Sequence, residues 1–321
     1  MSPKIYLIFT TTFFLYLSSC SEKSEPTIES STPTYIASYE QALESVIRSI
    51  PEEYINKART TLNIAYQHTS HGTHVSYGMF GLPHFKDGDS VLFGISSNPD
   101  DVDMLTLYDY GLSAYGVNDL SSNETGFIQA TRAYLDNPDN AAVNVIMWSW
   151  CDISTHKVAE NYLPGMDSLI NEYAAGGSKI GNGKGQRTTP VSFIFMTGHA
   201  NPNANLCETC PQPQADTIIN FCKVRKQFCL DYYGIDSHDM LGNYWDDVND
   251  NGYSDAYGGN FYQEWQDAHV LGVDYYENLS TINGGATYGQ HTSQHITSNR
   301  KAYAMWWILA RIAGWNGISS N

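Results

Sequence analysis

Positive charge is scarce in this 321-residue chain, with 17 Lys+Arg against 34 Asp+Glu and a formal net charge of −17. A surface that displaces phosphate counterions needs a basic stripe, so this balance excludes nucleic acid as a partner. Charged residues of any sign are only 16% of the chain, below the roughly 25% of an average soluble domain. No long hydrophobic run is present either. The longest apolar stretch, Ile5 to Leu17, falls short of the about 20 residues that cross a bilayer. Also missing are a second Cys-x-x-Cys beside Cys207–Cys210, which argues against a zinc ribbon, and any His-Glu-x-x-His signature. What the chain has is 42% hydrophobic residues and 13% aromatics, including 23 Tyr and 7 Trp. That is ample material for a large core and excludes global disorder.

Lys4, the short apolar run and Leu17-Ser-Ser-Cys20 have the form of a secretory signal ending in a lipoprotein-type cut site. Residues 1–19 are therefore expected to be removed and Cys20 to carry a lipid that anchors the protein to the bacterial cell envelope. Cleavage would leave 16 − 34 = −18. Residues 20–36 are polar and Pro-bearing and are expected to act as a tether. Five cysteines remain, namely Cys151, Cys207, Cys210, Cys222 and Cys229. An odd number in an oxidising compartment implies at least one free thiol beside one or two disulfides of undetermined pairing.

From residue 37 onward, short apolar runs alternate with helical periodicity. Helical spacing covers 38–59, with a new turn at Pro51, and recurs at 73–80, 158–173, 215–226 and 299–313. Strand-like runs cover 61–67, 142–148, 191–196 and 228–233. Such alternation predicts an α/β fold, a three-layer α/β/α sandwich around a mainly parallel sheet. One domain over 37–321 is expected, with an insertion near 240–280. In these folds ligands bind beyond the carboxyl ends of the strands. Here those ends carry Ser70 among His68, His71 and His74, then Cys151, Gly198-His199, and Asp231.

Ser70 closes the first long strand where a helix begins, a turn that offers backbone amides to a developing oxyanion; simple helix capping is the bland alternative. The stretches Ala65-Tyr-Gln-His-Thr-Ser-His-Gly72, Trp148-Ser-Trp-Cys151 and Met196-Thr-Gly-His199, with the closing Trp306-Trp-x-x-Ala-Arg-x-Ala-Gly-Trp315, resemble a group of secreted bacterial SGNH (GDSL-like) hydrolases. The resemblance spans roughly residues 37–317. It implies a serine esterase with Ser70 as nucleophile, Gly198 and Asn201 as an oxyanion loop, and His295 or His291 as base. It also makes Gly111 a candidate second oxyanion glycine. The family's acid lies three residues before the His. Thr292 and Tyr288 occupy those positions, so the acid must come from Asp231, Asp236 or Asp239, or be absent. On this reading the substrate is an acylated glycan, hydrolysed through an acyl-enzyme; a lapsed relative that only binds glycan is the alternative.

Two further patterns carry chemistry. His68, His71, His74 and His84 crowd one segment, and His71 and His74 could share a helix face as metal ligands if a carboxylate came from elsewhere in the fold. Asp247, Asn249 and Asn251 stand at positions 1, 3 and 5 of a calcium-type loop, with Gly252 at 6, the Tyr253 carbonyl at 7 and Asp255 at 9. Gly258 replaces the bidentate Glu at 12, leaving Asp246 or Asp250 to complete the shell of a structural Ca²⁺. The rings from Tyr253 to Tyr276 suit either sugar stacking or ordinary packing.

Overall fold

The computed structural model describes residues 1–2, 34–201 and 204–318. The signal, Cys20 and most of the tether lie outside the described residues. Apolar residues on consecutive strand positions build a seven-stranded, all-parallel sheet in the order β1-β7-β6-β5-β2-β4-β3. Its strands are β1 (Ile36–Ala37), β2 (Asn63–Gln67), β3 (Ile95–Ser96), β4 (Leu105–Asp109), β5 (Val145–Trp148), β6 (Ser192–Met196) and β7 (Phe228–Leu230). Leaving aside the two-residue edge strands, the order is that of a doubly wound sheet of the 2-1-3-4-5 type. The chain leaves β2 towards β3 and β4, then crosses back to β5, so the topological switch point falls between β2 and β5.

Alternation within each strand feeds two cores. Ile64, Tyr66, Val145, Met147, Ile194 and Met196 face one side, where α1 (Glu44–Arg48), α2 (Glu52–Thr61), α3 (Thr73–Gly81) and α10 (Ile296–Ile312) bury Met79, Met305, Trp306 and Leu309 against them. Ala65, Ile146, Trp148, Phe193 and Phe195 face the other, under α5 (Gly126–Asp136), α6 (Leu163–Tyr173) and α7 (Pro211–Arg225). The protein is thus a three-layer α/β/α sandwich. Strands covered on both faces must be apolar at every position, which is why they read as continuous hydrophobic runs. Among the described residues no helix is long and apolar enough to cross a membrane.

The structure departs from the periodicity in places. The strand expected to run to Tyr233 stops at Leu230, because the Asp231 carboxylate accepts the Gly234 N–H at 3.0 Å and starts a short helix, α8 (Tyr232–Asp236). The helix expected from Val158 opens as a wide π-helical turn to Tyr162, and Pro164 then sits in the first turn of α6, where its missing N–H costs nothing. A four-residue helix α4 (Asp89–Leu92) follows α3. Cys207 and Cys210 form a disulfide, whereas Cys151, Cys222 and Cys229 are free thiols.

The insertion holds a small hairpin, β8 (Tyr253–Ser254) and β9 (Gly259–Asn260), and the helix α9 (Phe261–Asp267). Its rings form a third core. Phe261, Tyr262 and Val248 are buried, with Trp245, Tyr257, Trp265 and Tyr275 packed against them, while Tyr244 and Tyr253 stand out in solvent. Packing, the second of the two roles open to these aromatics, is the one they fill.

Candidate active site

The carboxyl end of β2 is framed by its neighbours. The Tyr66 carbonyl accepts from Gly111 N–H at 3.0 Å and the Gln67 carbonyl accepts from Ser149 N–H at 3.0 Å. Gly111 therefore spends its amide on the sheet and is not an oxyanion donor. His68, fully buried, shares hydrogen bonds with Asp109 Oδ1 at 2.7 Å and the Thr69 carbonyl at 2.8 Å. It is a structural residue of the strand end. Gly72 packs so closely on it that a Cβ at 72 would lie 2.2 Å from the His68 Cβ. That absence of a side chain lets the chain fold back at once into a single helical turn, Ser70–Gly72, leading into α3.

Ser70 stands at the switch point itself. Its Oγ lies 3.0 Å from the Sγ of Cys151, which follows β5. The Ser70 and Cys151 amides donate to no acceptor among the described residues. No imidazole nitrogen among the described residues hydrogen-bonds the Ser70 hydroxyl.

Beside Ser70 three imidazoles form a stack. His71 is buried between His199, 3.6 Å away at 9°, and His291, 4.4 Å away at 11°. Its Nε2 lies 3.0 Å from Asp250 Oδ2. Burial, aided by the two flanking imidazoles and opposed by Asp250, lowers the His71 pKa to about 4, so the ring is neutral at physiological pH. Burial alone would raise Asp250. The hydrogen bond to His71 and the charges of the three imidazoles outweigh it, and the carboxyl titrates below its ordinary range.

Local structure explains how His291 gets there. Thr73 Oγ1 accepts the Gln290 N–H at 2.9 Å, and His74 Nε2 shares a 2.6 Å hydrogen bond with the Gln290 carbonyl. Gly289 lies so close to His74 that a Cβ would meet its Cδ2 at 2.4 Å. The start of α3 thus grips residues 289 and 290, and His291 takes up φ +67° beyond them. This use of His74, fully buried, removes it from the His71/His74 ligand pair that helical spacing suggested. His84 lies apart, lining a cavity with Gly81, Leu271 and Tyr276.

His295 is placed differently. It caps α10, is buried, and accepts the Asn278 N–H at Nδ1 at 3.2 Å. Its ring contact is Tyr288, and none of its hydrogen bonds or ring contacts reaches Ser70 or the stack. Asn201 follows β6, one strand beyond β5. Its Nδ2 donates to Ser154 Oγ at 3.1 Å, its N–H to Asn205 Oδ1 at 2.8 Å, and it lines a cavity with Asp246, Asp247 and Asp255. Gly198 packs on Ile153, and it is the next residue, His199, that enters the stack. Of the candidate acids, Asp231 caps α8, Asp239 closes the turn to Asn243 and Trp245, and Asp236 pairs with Lys301 inside the protein.

The calcium-type loop closes on itself. Asp247 accepts Ser254 Oγ–H at 2.5 Å and Ala256 N–H at 2.9 Å. Asn249 Oδ1 accepts the N–H groups of Asn251 and Tyr253, both at 2.9 Å. The Tyr253 carbonyl accepts Asn249 N–H at 2.9 Å, Asn251 Oδ1 accepts Ser293 N–H at 3.2 Å, and Asp255 accepts the Tyr253 hydroxyl at 3.1 Å. Gly252, at φ +83°, supplies the sharp turn. These hydrogen bonds hold the loop's shape in this structure. Asp250, expected with Asp246 as a candidate to complete a calcium shell, instead meets His71 at the site.

No family model, curated protein or solved structure matches this chain.

Proposed function

We propose that the protein is a serine ester hydrolase that removes acyl groups, acetyl in particular, from carbohydrate, working from a lipid anchor at Cys20 on the cell envelope. The observation that carries this reading is the position of Ser70, a part-exposed hydroxyl at the switch point with two uncommitted backbone amides beside it. Ser70 Oγ attacks the ester carbonyl as His291 takes its proton. The Ser70 and Cys151 amides donate to the oxyanion, and His291 returns the proton to the departing sugar oxygen. Water then frees the acyl group by the same steps in reverse. Asp250, whose carboxylate oxygen lies within 4.8 Å of a His291 nitrogen, steadies the imidazolium. On this reading the Ser70 hydroxyl exchanges its Cys151 thiol contact for His291 when substrate binds, as catalytic hydrogen bonds often tighten only with substrate. A cavity of about 510 Å³ at the end of β4, lined by Tyr108, Asp109, Tyr110, Tyr134 and Asn140, has the mixed aromatic and polar lining that suits a sugar ring.

The Ser70 hydroxyl bonded to a thiol instead of an imidazole favours a second reading, a lapsed relative that binds glycan without turnover. Labelling by a fluorophosphonate probe, located by peptide mass spectrometry, together with acetate release from acetylated glycans, separates the two. An active hydrolase is labelled at Ser70, and Ser70→Ala loses label and at least about 10³-fold of activity. Failure of the wild type to be labelled or to release acetate refutes the hydrolase and leaves the binder.

A further inference from the structure

His71, Asp250 and His291 present two imidazole nitrogens and a carboxylate oxygen, all within 4.8 Å of one another. They come from three distant parts of the chain, the turn before α3, the insertion, and the loop before α10. Two imidazoles with one carboxylate are a donor set for Zn²⁺ and neighbouring first-row ions, and a poor one for Ca²⁺ or Mg²⁺. Adjacent donors on a tetrahedral ion with bonds of about 2.0–2.1 Å lie about 3.3–3.4 Å apart, so the hydrogen-bonded pair of His71 Nε2 and Asp250 Oδ2, 3.0 Å apart, needs to spread only slightly to hold one.

The surroundings position the two imidazoles. His199 backs the His71 ring, the Tyr232 hydroxyl donates to the His71 carbonyl at 3.1 Å, and Thr73 and His74 hold residue 290 beneath His291. These contacts fix where the two rings stand, while the His71 Nδ1 itself has no hydrogen-bond partner among the described residues. His291 is exposed, so the remaining coordination positions open to solvent. Its ring lies nearly parallel to that of His71, and two parallel stacked rings cannot aim their lone pairs at one point. Binding therefore swings the exposed His291 ring out of the stack.

We propose that His71, Asp250 and His291 form a Zn²⁺ site completed by solvent, and that the bound ion takes His291 away from Ser70. The site does not depend on the hydrolase reading. If that reading holds, occupancy by the ion and serine turnover exclude each other.

The test is titration of the chelator-stripped full chain with Co²⁺, read by its visible ligand-field bands, and with Zn²⁺, read by calorimetry. Saturable binding of one ion per chain is expected. Asp250→Asn and His291→Ala should each weaken it by about 100-fold or more, whereas His295→Ala and Asp247→Asn should leave it intact. Absence of saturable binding overturns the proposal, as does binding that survives His291→Ala and Asp250→Asn, or that is lost in Asp247→Asn. Unfolding curves check each variant. His291 is exposed, so its variant carries the test even if Asp250→Asn folds poorly. Failure of labelling at Ser70 would leave the metal result standing, so the two readings fail separately.

Discussion

Lys301→Met should unmask a charge sealed inside the molecule. The Lys301 side chain is 0% exposed and Asp236 1%, and they pair between α10 and α8. The ammonium also lies 4.3 Å from the centre of the Tyr232 ring, and the same carboxylate accepts the Ala200 N–H at 3.2 Å, tying the pair to the loop that carries His199. Burial pushes Asp236 up and Lys301 down, each held back in part by its partner. Removing the lysine leaves a carboxylate with one amide donor and no counter-charge, for which a cost of about 3–5 kcal/mol is expected at neutral pH. The double variant Lys301→Met/Asp236→Asn leaves no charge and keeps an acceptor for Ala200, so it should be more stable than Lys301→Met alone. Acid should shrink the single variant's deficit. Its folded carboxyl titrates above the unfolded one, so the folded state binds a proton the unfolded chain releases; the penalty is full above the folded pKa and fades as pH falls through it. Urea unfolding followed by tryptophan fluorescence, at neutral and acidic pH, measures all three effects. A loss below about 1 kcal/mol in Lys301→Met, or a double variant as unstable as the sum of the singles, would refute the reasoning.

Two smaller tests address the frame. Gly78→Ala would stabilise an unhindered helix by about 1 kcal/mol, but here the new Cβ would sit 2.2 Å from the Ser298 carbonyl of α10, so equilibrium unfolding should show a loss of about 1–3 kcal/mol. Glu172 bonds Arg132 between α6 and α5, and that hydrogen bond lowers its pKa. Because the pair is partly solvated, Glu172→Gln should cost only about 0.5–1 kcal/mol at pH 7. A depressed carboxyl stabilises above its unfolded pKa and loses that effect as pH falls through the folded value, so wild type and variant should converge in acid. A cost that persists there would show that shape, not charge, is responsible.

The sheet was legible where a strand is buried on both faces, since β2, β5 and β6 must be apolar throughout. β4 escaped because Leu105-Thr-Leu-Tyr-Asp109 mixes polar residues into a short run between Asp-rich segments. Ser70 could be read locally, because a strand end, a glycine and a helix start lie within a few residues. Asp250 could not. It meets His71 across 179 residues, and its own neighbourhood spells a cation loop. The choice between His291 and His295 turns on a backbone that only tertiary contacts fix: α3 grips residues 289 and 290, and the positive φ at His291 follows. His199 follows β6 and joins the stack, whereas the resemblance implies roles only for Gly198 and Asn201 in that loop.

The carboxylate beside the imidazole stack rides on a segment anchored by Val248, Phe261 and Tyr262, whose packing is distinct from both faces of the sheet. If this third core opens at lower denaturant than the two cores on the sheet, Asp250 is withdrawn while the sandwich stays intact. Silencing of the site would then come before melting, as a reversible local event.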